Sequence, residues 1–370
     1  MRSVHRSVGL ALGVWLWLTG CAAPLTPTPL PTATRLASVT PLPAATVTRT
    51  VPIPTPTAIT SSPKPAALPP PVTASPRPLT PTPTRPPSPT PSPTPTRTVT
   101  AWAPLSLFAR SECEEIKFNS VALSGAMPLM LYLPLGYAEQ TQRRYPTLYL
   151  LSGLGGNYKE WASYDLCAKM DQLVRAGKAQ PMIIVMPSGN ENQYGGIGSY
   201  WFNHAPPPQG DGKRWGDYIW QDLVSFIDAK YRTLPRRESR AIGGLSAGGQ
   251  GALMLGFTQP DTFSVVGAHS PSMRHADGSI AFFGDPAFFN QYDPVWLAQN
   301  SDAWKRLAIW IDDGDADKQW GGPIREFHEL LTARNIPHEY TVFPGTHDPS
   351  YWSPLVPTYL QWYSSKLASP

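Results

Sequence analysis

Between residues 22 and 103 the chain alternates proline with threonine and serine ("TPTPLPTATRL…PTPTRPPSPTPSPTPTRT"). This stretch carries 24 of the 45 prolines and no aspartate or glutamate. Proline cannot continue a helix and lacks a donor for a sheet, and the polar remainder has too little apolar surface to drive collapse. An extended polyproline II spacer is expected at ~3.1 Å per residue, on the order of 200 Å in reach, with Thr and Ser available for glycosylation. Of the 370 residues, only 105–370 are then left to build a hydrophobic core. About 265 residues suit one α/β domain. Eight of the thirty Lys and Arg precede residue 104, so this domain has 22 basic against 26 acidic residues. A mildly acidic domain gives no reason to expect a nucleic-acid partner.

Ahead of the spacer, "MRSVHRSVGLALGVWLWLTGC" has Arg2 and Arg6 before an apolar run from Val8 to Leu18. Eleven residues are too few to span a bilayer and fit a secretory signal peptide. Leu18-Thr19-Gly20-Cys21 resembles the bacterial lipobox, which predicts a signal over 1–20, lipidation of Cys21, and a linker over 21–104. The expected location is the extracytoplasmic face of a membrane, held by acyl chains. An ordinary signal peptide with a chance cysteine is the alternative. Cys113 and Cys167 remain, and an oxidising compartment allows them to pair, tying the first strand to the first helix.

From residue 114 onward, strand and helix patterns alternate. "EEIKFNSVAL" and "MPLMLYLPL" read as a hairpin turning at Ser124-Gly125. "YPTLYLLSG", "PMIIVMPSG", "RAIGGLS", "FSVVGAHS", "LAIWIDDG" and "HEYTVFPG" are short apolar strands. Helical periodicity falls on "YDLCAKMDQLVRAG", "GDYIWQDLVSFIDAKYR", "GGQGALMLGFTQ", "IREFHELLTARN" and "YWSPLVPTYLQWYSSKL". Repeated β-α-β order predicts a mostly parallel sheet covered by helices on both faces, with an antiparallel edge at the start. Chemistry in such sheets gathers at the carboxyl ends of the strands.

At one such end lies "RAIGGLSAGGQGALML". Gly244-Leu245-Ser246-Ala247-Gly248 matches G-x-S-x-G, with a strand before it and a helix after it, the context a nucleophile elbow requires. A serine needs a base, oriented by an acid. Of the domain histidines, His328 sits in a helical pattern, His338 starts a strand, and His269 precedes the acidic candidates. His347, after the last strand in "PGTHDPSYW", gives the order Ser…Asp…His. Asp312, Asp313, Asp315 and Asp317 compete as the acid in "LAIWIDDGDADKQW". Oxyanion donors are expected from the backbone amides of Ala247 and of Leu154 in "LLSGLGGN". The aromatic loop 189–215 offers Tyr194, Tyr200, Trp201, Phe202 and Trp215 as walls of an acyl or sugar pocket, or as ordinary loop packing.

These segments together, with "YLPLGYAEQTQRRYPTLYLLSGLGG", "IIVMPSGN" and "DDGDADKQW", resemble an esterase family over residues 115–365. That family includes esterase D (S-formylglutathione hydrolase), feruloyl and acetyl-xylan esterases, enterochelin esterases and mycolyltransferases. The resemblance implies an α/β-hydrolase fold and a triad of Ser246, Asp317 and His347, with Asp317 chosen over Asp315 by the G-x-x-D segment from Gly314. It implies no metal and no cofactor. Leu154 and Ala247 match the family's oxyanion positions, but Ser152 stands where members often carry histidine. The expected activity is hydrolysis of carboxylic esters. Acyl transfer to a sugar or lipid hydroxyl, and a non-catalytic surface-binding protein on the same fold, are the alternatives.

Overall fold

The computed structural model describes residue 106, residues 109–190 and residues 198–369. The expected signal peptide, Cys21, the expected linker and Tyr194 lie outside the described residues. Among the described residues, no helix is long and apolar enough to cross a membrane.

Eight strands form one sheet: β1 (Glu112–Ser120), β2 (Gly125–Leu133), β3 (Thr147–Leu151), β4 (Ile183–Pro187), β5 (Arg240–Leu245), β6 (Val265–His269), β7 (Ala308–Gly314) and β8 (Glu339–Phe343). Their spatial order is β1-β2-β4-β3-β5-β6-β7-β8. β1 pairs antiparallel with β2, and β2 antiparallel with β4; every other pairing is parallel. Together with the flanking helices, this is the α/β-hydrolase fold, with the expected antiparallel edge. The hairpin turns over Val121–Ser124, where Ser124 has φ of +53°.

Strand alternation divides the core between the two faces. Tyr149, Leu151, Val185, Ile242, Val266 and Ile311 pack with Ile219, Leu253, Phe327 and Leu331 on one side. Leu148, Leu150, Ile184, Ala241, Val265 and Trp310 pack with Met170, Leu173, Val356, Tyr359 and Tyr363 on the other. The second face is thus covered by the helices Leu166–Arg175 and Pro349–Lys366. Cys113 on β1 is disulfide-bonded to Cys167 on the first of these, so the edge strand is covalently held to a covering helix.

Gly243 on β5 and Gly267 on β6 are register partners. A Cβ at either would come within 2 Å of the Tyr363 hydroxyl oxygen, at 1.7 and 1.9 Å. The two glycines make a socket, and Tyr363 fills it to reach His269 Nε2 at 2.9 Å.

One expectation changes in detail. The single helix predicted over 216–232 is interrupted: a helical turn at Trp215–Asp217 runs into a π-helical turn, Tyr218–Leu223, before Val224–Lys230. The wider turn shifts the buried face, so Ile219, Leu223 and Ile227 are buried while Phe226 and Tyr231 are only half-buried. The segment 271–303 also holds short helices, Pro286–Phe289 and Pro294–Asn300, each begun by an aspartate whose carboxylate accepts a backbone N–H.

Candidate active site

β5 ends at Leu245 and the helix Ala247–Thr258 begins two residues later, leaving Ser246 alone in the turn. Its backbone has φ +53° and ψ −119°, a region that ordinary side chains avoid and that costs on the order of 1–3 kcal/mol. The turn holds because its neighbours lock it. The Ser246 amide donates to the His269 carbonyl at 3.0 Å, and the Ser246 carbonyl accepts from Ser272 N at 3.0 Å and Gln250 N at 3.1 Å. Only glycine fits on either side: a Cβ on Gly244 would lie 2.4 Å from the Gly248 backbone, and one on Gly248 2.4 Å from the Leu151 carbonyl.

His347 Nε2 lies 2.8 Å from Ser246 Oγ. Its Nδ1 lies 2.8 Å from Asp317 Oδ2. A carboxylate only accepts, so Nδ1 carries the proton and Nε2 is free to accept from the serine hydroxyl. Asp317 Oδ1 in turn accepts from the Gln319 and Trp320 amides at 2.9 and 2.8 Å. The loops carrying the base and the acid are laced together, with Asp315 N donating to the Phe343 carbonyl and Ala316 N to the Gly345 carbonyl, both at 2.9 Å. Trp352 packs edge-on against the imidazole, with ring centroids 4.9 Å apart.

The other aspartates have separate work. Asp312 is fully buried and accepts from His269 at 2.6 Å, Tyr351 at 2.7 Å and Tyr359 at 3.2 Å. Asp315 accepts from Gly345 N at 3.0 Å. Asp313 is buried beside the Asp317 carboxylate, and burial and that neighbour raise its pKa to about 6. The remaining histidines pair elsewhere: His204 with Asp211, His275 with Asp293, and His328 with His338. Of the four acids weighed in the sequence and the six histidines of the domain, one pair meets the serine.

Burial moves both groups of that pair. It lowers the His347 pKa below the usual histidine value, against the opposing pull of Asp317. It pushes the Asp317 carboxyl upward, but donation from Trp320 N, Ser270 and His347 outweighs it, leaving the pKa below the usual aspartate value. A neutral imidazole facing a hydroxyl, with a charged carboxylate behind it, can accept the hydroxyl proton and hold it as imidazolium.

Ala247 is buried directly after the serine, and the β3 loop approaches from the other side. A Cβ on Gly153 would lie 3.6 Å from Ser246 Cβ. Leu154 follows, its side chain about half exposed. Ser152 gives this loop no side-chain support, since its buried hydroxyl has no hydrogen-bond partner. The support comes from Glu160, which accepts the Gly153 amide at 2.8 Å, and from Trp161 and Trp201, whose indoles donate to the carbonyls of Leu151 and Ser152.

The aromatic pocket wall needs correction. Trp201 and Trp215 are 2% and 4% exposed and belong to the main core, so they line no open pocket. Large rings gain more from burial than from solvent contact, and the Ser152 carbonyl satisfies the one polar atom of Trp201. Tyr200 is buried with Phe202, Phe283 and Phe289 in a smaller cluster that includes Ala247, so it does lie next to the serine turn. Sequence reasoning missed Ser270, whose hydroxyl donates to Asp317 Oδ2 at 2.9 Å and lies 3.0 Å from His347 Nδ1. A serine one residue past a strand end carries no mark in the sequence to distinguish it.

The family model described as "Putative esterase" matches residues 120–363, about two thirds of the chain. The chain belongs to this family. Esterase Rv1288 of Mycobacterium tuberculosis (strain ATCC 25618 / H37Rv) is 27% identical over 265 residues, covering 62% of this chain and 54% of that protein. The chain therefore spans about half the length of this curated relative. An endo-1,4-beta-xylanase/feruloyl esterase of Xylanibacter ruminicola is 29% identical over 160 residues, 42% of this chain and 21% of that one. Among solved structures, a ferulic acid esterase superposes with a TM-score of 0.62 at 26% identity, covering 70% of this chain and all of the other. Membership of the Putative esterase family and the α/β-hydrolase fold therefore agree with the strand order and with the resemblance read from the sequence.

Proposed function

We propose that the protein is a serine esterase that hydrolyses carboxylic esters, of feruloyl or related acyl type, through an acyl-enzyme. One observation carries the reading: His347 is within 2.8 Å of both Ser246 Oγ and Asp317 Oδ2. In the proposed cycle His347 Nε2 takes the Ser246 proton as Oγ attacks the ester carbonyl. The amides of Ala247 and Leu154 stabilise the oxyanion, and the imidazolium, held by Asp317, returns the proton to the leaving alcohol. A water molecule, deprotonated by the same nitrogen, then attacks the acyl-enzyme, and the imidazolium returns that proton to Ser246 Oγ as the ester bond breaks and the acid leaves. The feruloyl preference draws support from the family and from the names of the relatives above. Export and anchoring through Cys21 rest on the N-terminal sequence alone.

The test is labelling with a fluorophosphonate, mapped by mass spectrometry, alongside hydrolysis of aryl, acetyl and feruloyl esters. The expected result is one adduct at Ser246, absent from Ser246→Ala, and turnover of at least one ester class. A folded protein that takes no label and turns over none of the esters overturns the reading and leaves a binding role in its place.

A further inference from the structure

The segment following β6 returns to the serine turn and is fixed there twice. Ser272 N donates to the Ser246 carbonyl at 3.0 Å. Gln250, fully buried one helical turn past Ser246, clamps Arg274 from both sides: its Oε1 accepts Arg274 N at 3.1 Å and its Nε2 donates to the Arg274 carbonyl at 2.7 Å. The Arg274 backbone is thus held at a set distance from the nucleophile. Its guanidinium carbon lies 5.3 Å from the Trp320 ring centroid, and that ring lies 6.4 Å from the His347 imidazole. Tyr200 is also near: burial raises the pKa of its phenol, and hydrogen bonding with Arg274 and Ser272 offsets part of that rise.

This guanidinium has no carboxylate partner among the described residues, and its Nε is buried without a hydrogen-bond acceptor. Asp277, three residues on, feels the Arg274 charge without contacting it and is hydrogen-bonded by Ser279, which donates to it from both N and Oγ. Stacking on Trp320 and the approach to Tyr200 account for the aromatic contacts but give the guanidinium no carboxylate. A half-buried arginine with no carboxylate in contact is costly, and its planar fork matches a carboxylate.

We propose that Arg274, with Tyr200 and Trp320, forms an anion subsite beside Ser246, selecting esters whose acyl or alcohol half carries a second, free carboxylate. This rests on the esterase reading and narrows its substrate class.

The test uses the full chain and two pairs of esters matched in size but differing in charge. Mono-4-nitrophenyl succinate against 4-nitrophenyl pentanoate probes the acyl side; 4-acetoxybenzoate against its methyl ester probes the alcohol side. In at least one pair the anionic ester is expected to have the higher kcat/KM, with the advantage shrinking as salt rises. Arg274→Met should lower kcat/KM for that anionic ester at least tenfold, mainly through KM, and leave the neutral ester within threefold. Arg274→Lys, which keeps the charge without the fork, should fall between, and serves if the methionine variant does not fold. Neutral esters turned over equally well or better in both pairs, or equal losses on both members in Arg274→Met, overturn the anion subsite and leave the esterase reading intact. No turnover of any of the four by a folded protein sinks both.

Discussion

Ser270 donates its hydroxyl to the same Asp317 oxygen that receives His347 Nδ1, at 2.9 and 2.8 Å respectively. The carboxylate oxygen is therefore shared, and part of its charge is spent on a group that never titrates. Ser270 itself has φ of +44°, a conformation serine rarely adopts outside a constrained turn.

Ser270→Gly removes the hydroxyl while relaxing the backbone. A hydrogen bond to a charged group contributes about 1.5–3 kcal/mol, so kcat should fall by roughly 10- to 100-fold with KM little changed. A purely structural role would not alter titration, but this one should: a carboxylate relieved of Ser270 pulls harder on the imidazolium and raises the His347 pKa. The pH–rate profile of the variant should shift its acid limb upward. An unshifted limb with unchanged kcat would refute the assignment.

The natural protein should remain active well into mildly acidic solution. Burial lowers the His347 pKa, so the neutral, proton-accepting form persists below the ordinary value of 6.5. Activity is present above the folded pKa and lost as pH falls through it. The acid limb of kcat/KM on a neutral ester should accordingly have its midpoint under 6.5. Asp317→Asn removes an influence that raises this pKa, so the midpoint should drop further while kcat falls about 10,000-fold. A natural midpoint above 6.5 would mean that Asp317 outweighs burial.

Ser246→Gly should yield an inactive but more stable protein. Glycine is at ease at φ +53° and ψ −119°, so the substitution should recover about 1–2 kcal/mol, or a few degrees in Tm. Thermal unfolding of Ser246→Gly beside Ser246→Ala separates backbone relief from loss of the hydroxyl, since alanine keeps the strain. Equal Tm values for the two would argue against strain at the turn.

Gly267→Ala should destabilise by about 1–3 kcal/mol, because its Cβ would lie 1.9 Å from the Tyr363 oxygen. The cost should shrink by at least ~1 kcal/mol on a Tyr363→Leu background, where the socket is partly vacated. Denaturant unfolding of the four proteins in this cycle measures the coupling, and additive effects would show that the two residues do not meet.

Much of this was legible in the residues because it depends on local order. Apolar runs such as "IIVMP" and "RAIGGL" mark strands buried on both faces, and G-x-S-x-G between a strand and a helix marks the elbow. What resisted reading is set by contacts across the sheet. Nothing in "YPTLYLLSG" and "PMIIVMPSG" says that β4 pairs with β2 and leaves β3 beside β5; a crossover decides that. The four aspartates of β7 and its loop are chemically alike in the sequence, and only the fold assigns Asp312 to the His269 network and Asp317 to His347. The tryptophans of the 198–215 loop misled because a glycine-flanked aromatic loop has the same composition whether it faces substrate or core. Ser270 and Arg274 were invisible for a related reason: their importance lies in what they face.

The Tyr363 socket ties the timing of assembly to the order of synthesis. Its glycine walls, on β5 and β6, stand directly beneath the serine turn, yet the ring that fills it arrives nearly a hundred residues after the second wall. Until the helix Pro349–Lys366 has been made and docked, the middle of the sheet has a hole where a phenol belongs, and His347 itself has only just been added. A nascent chain therefore carries its nucleophile through roughly the next hundred residues of synthesis without the parts that arm it.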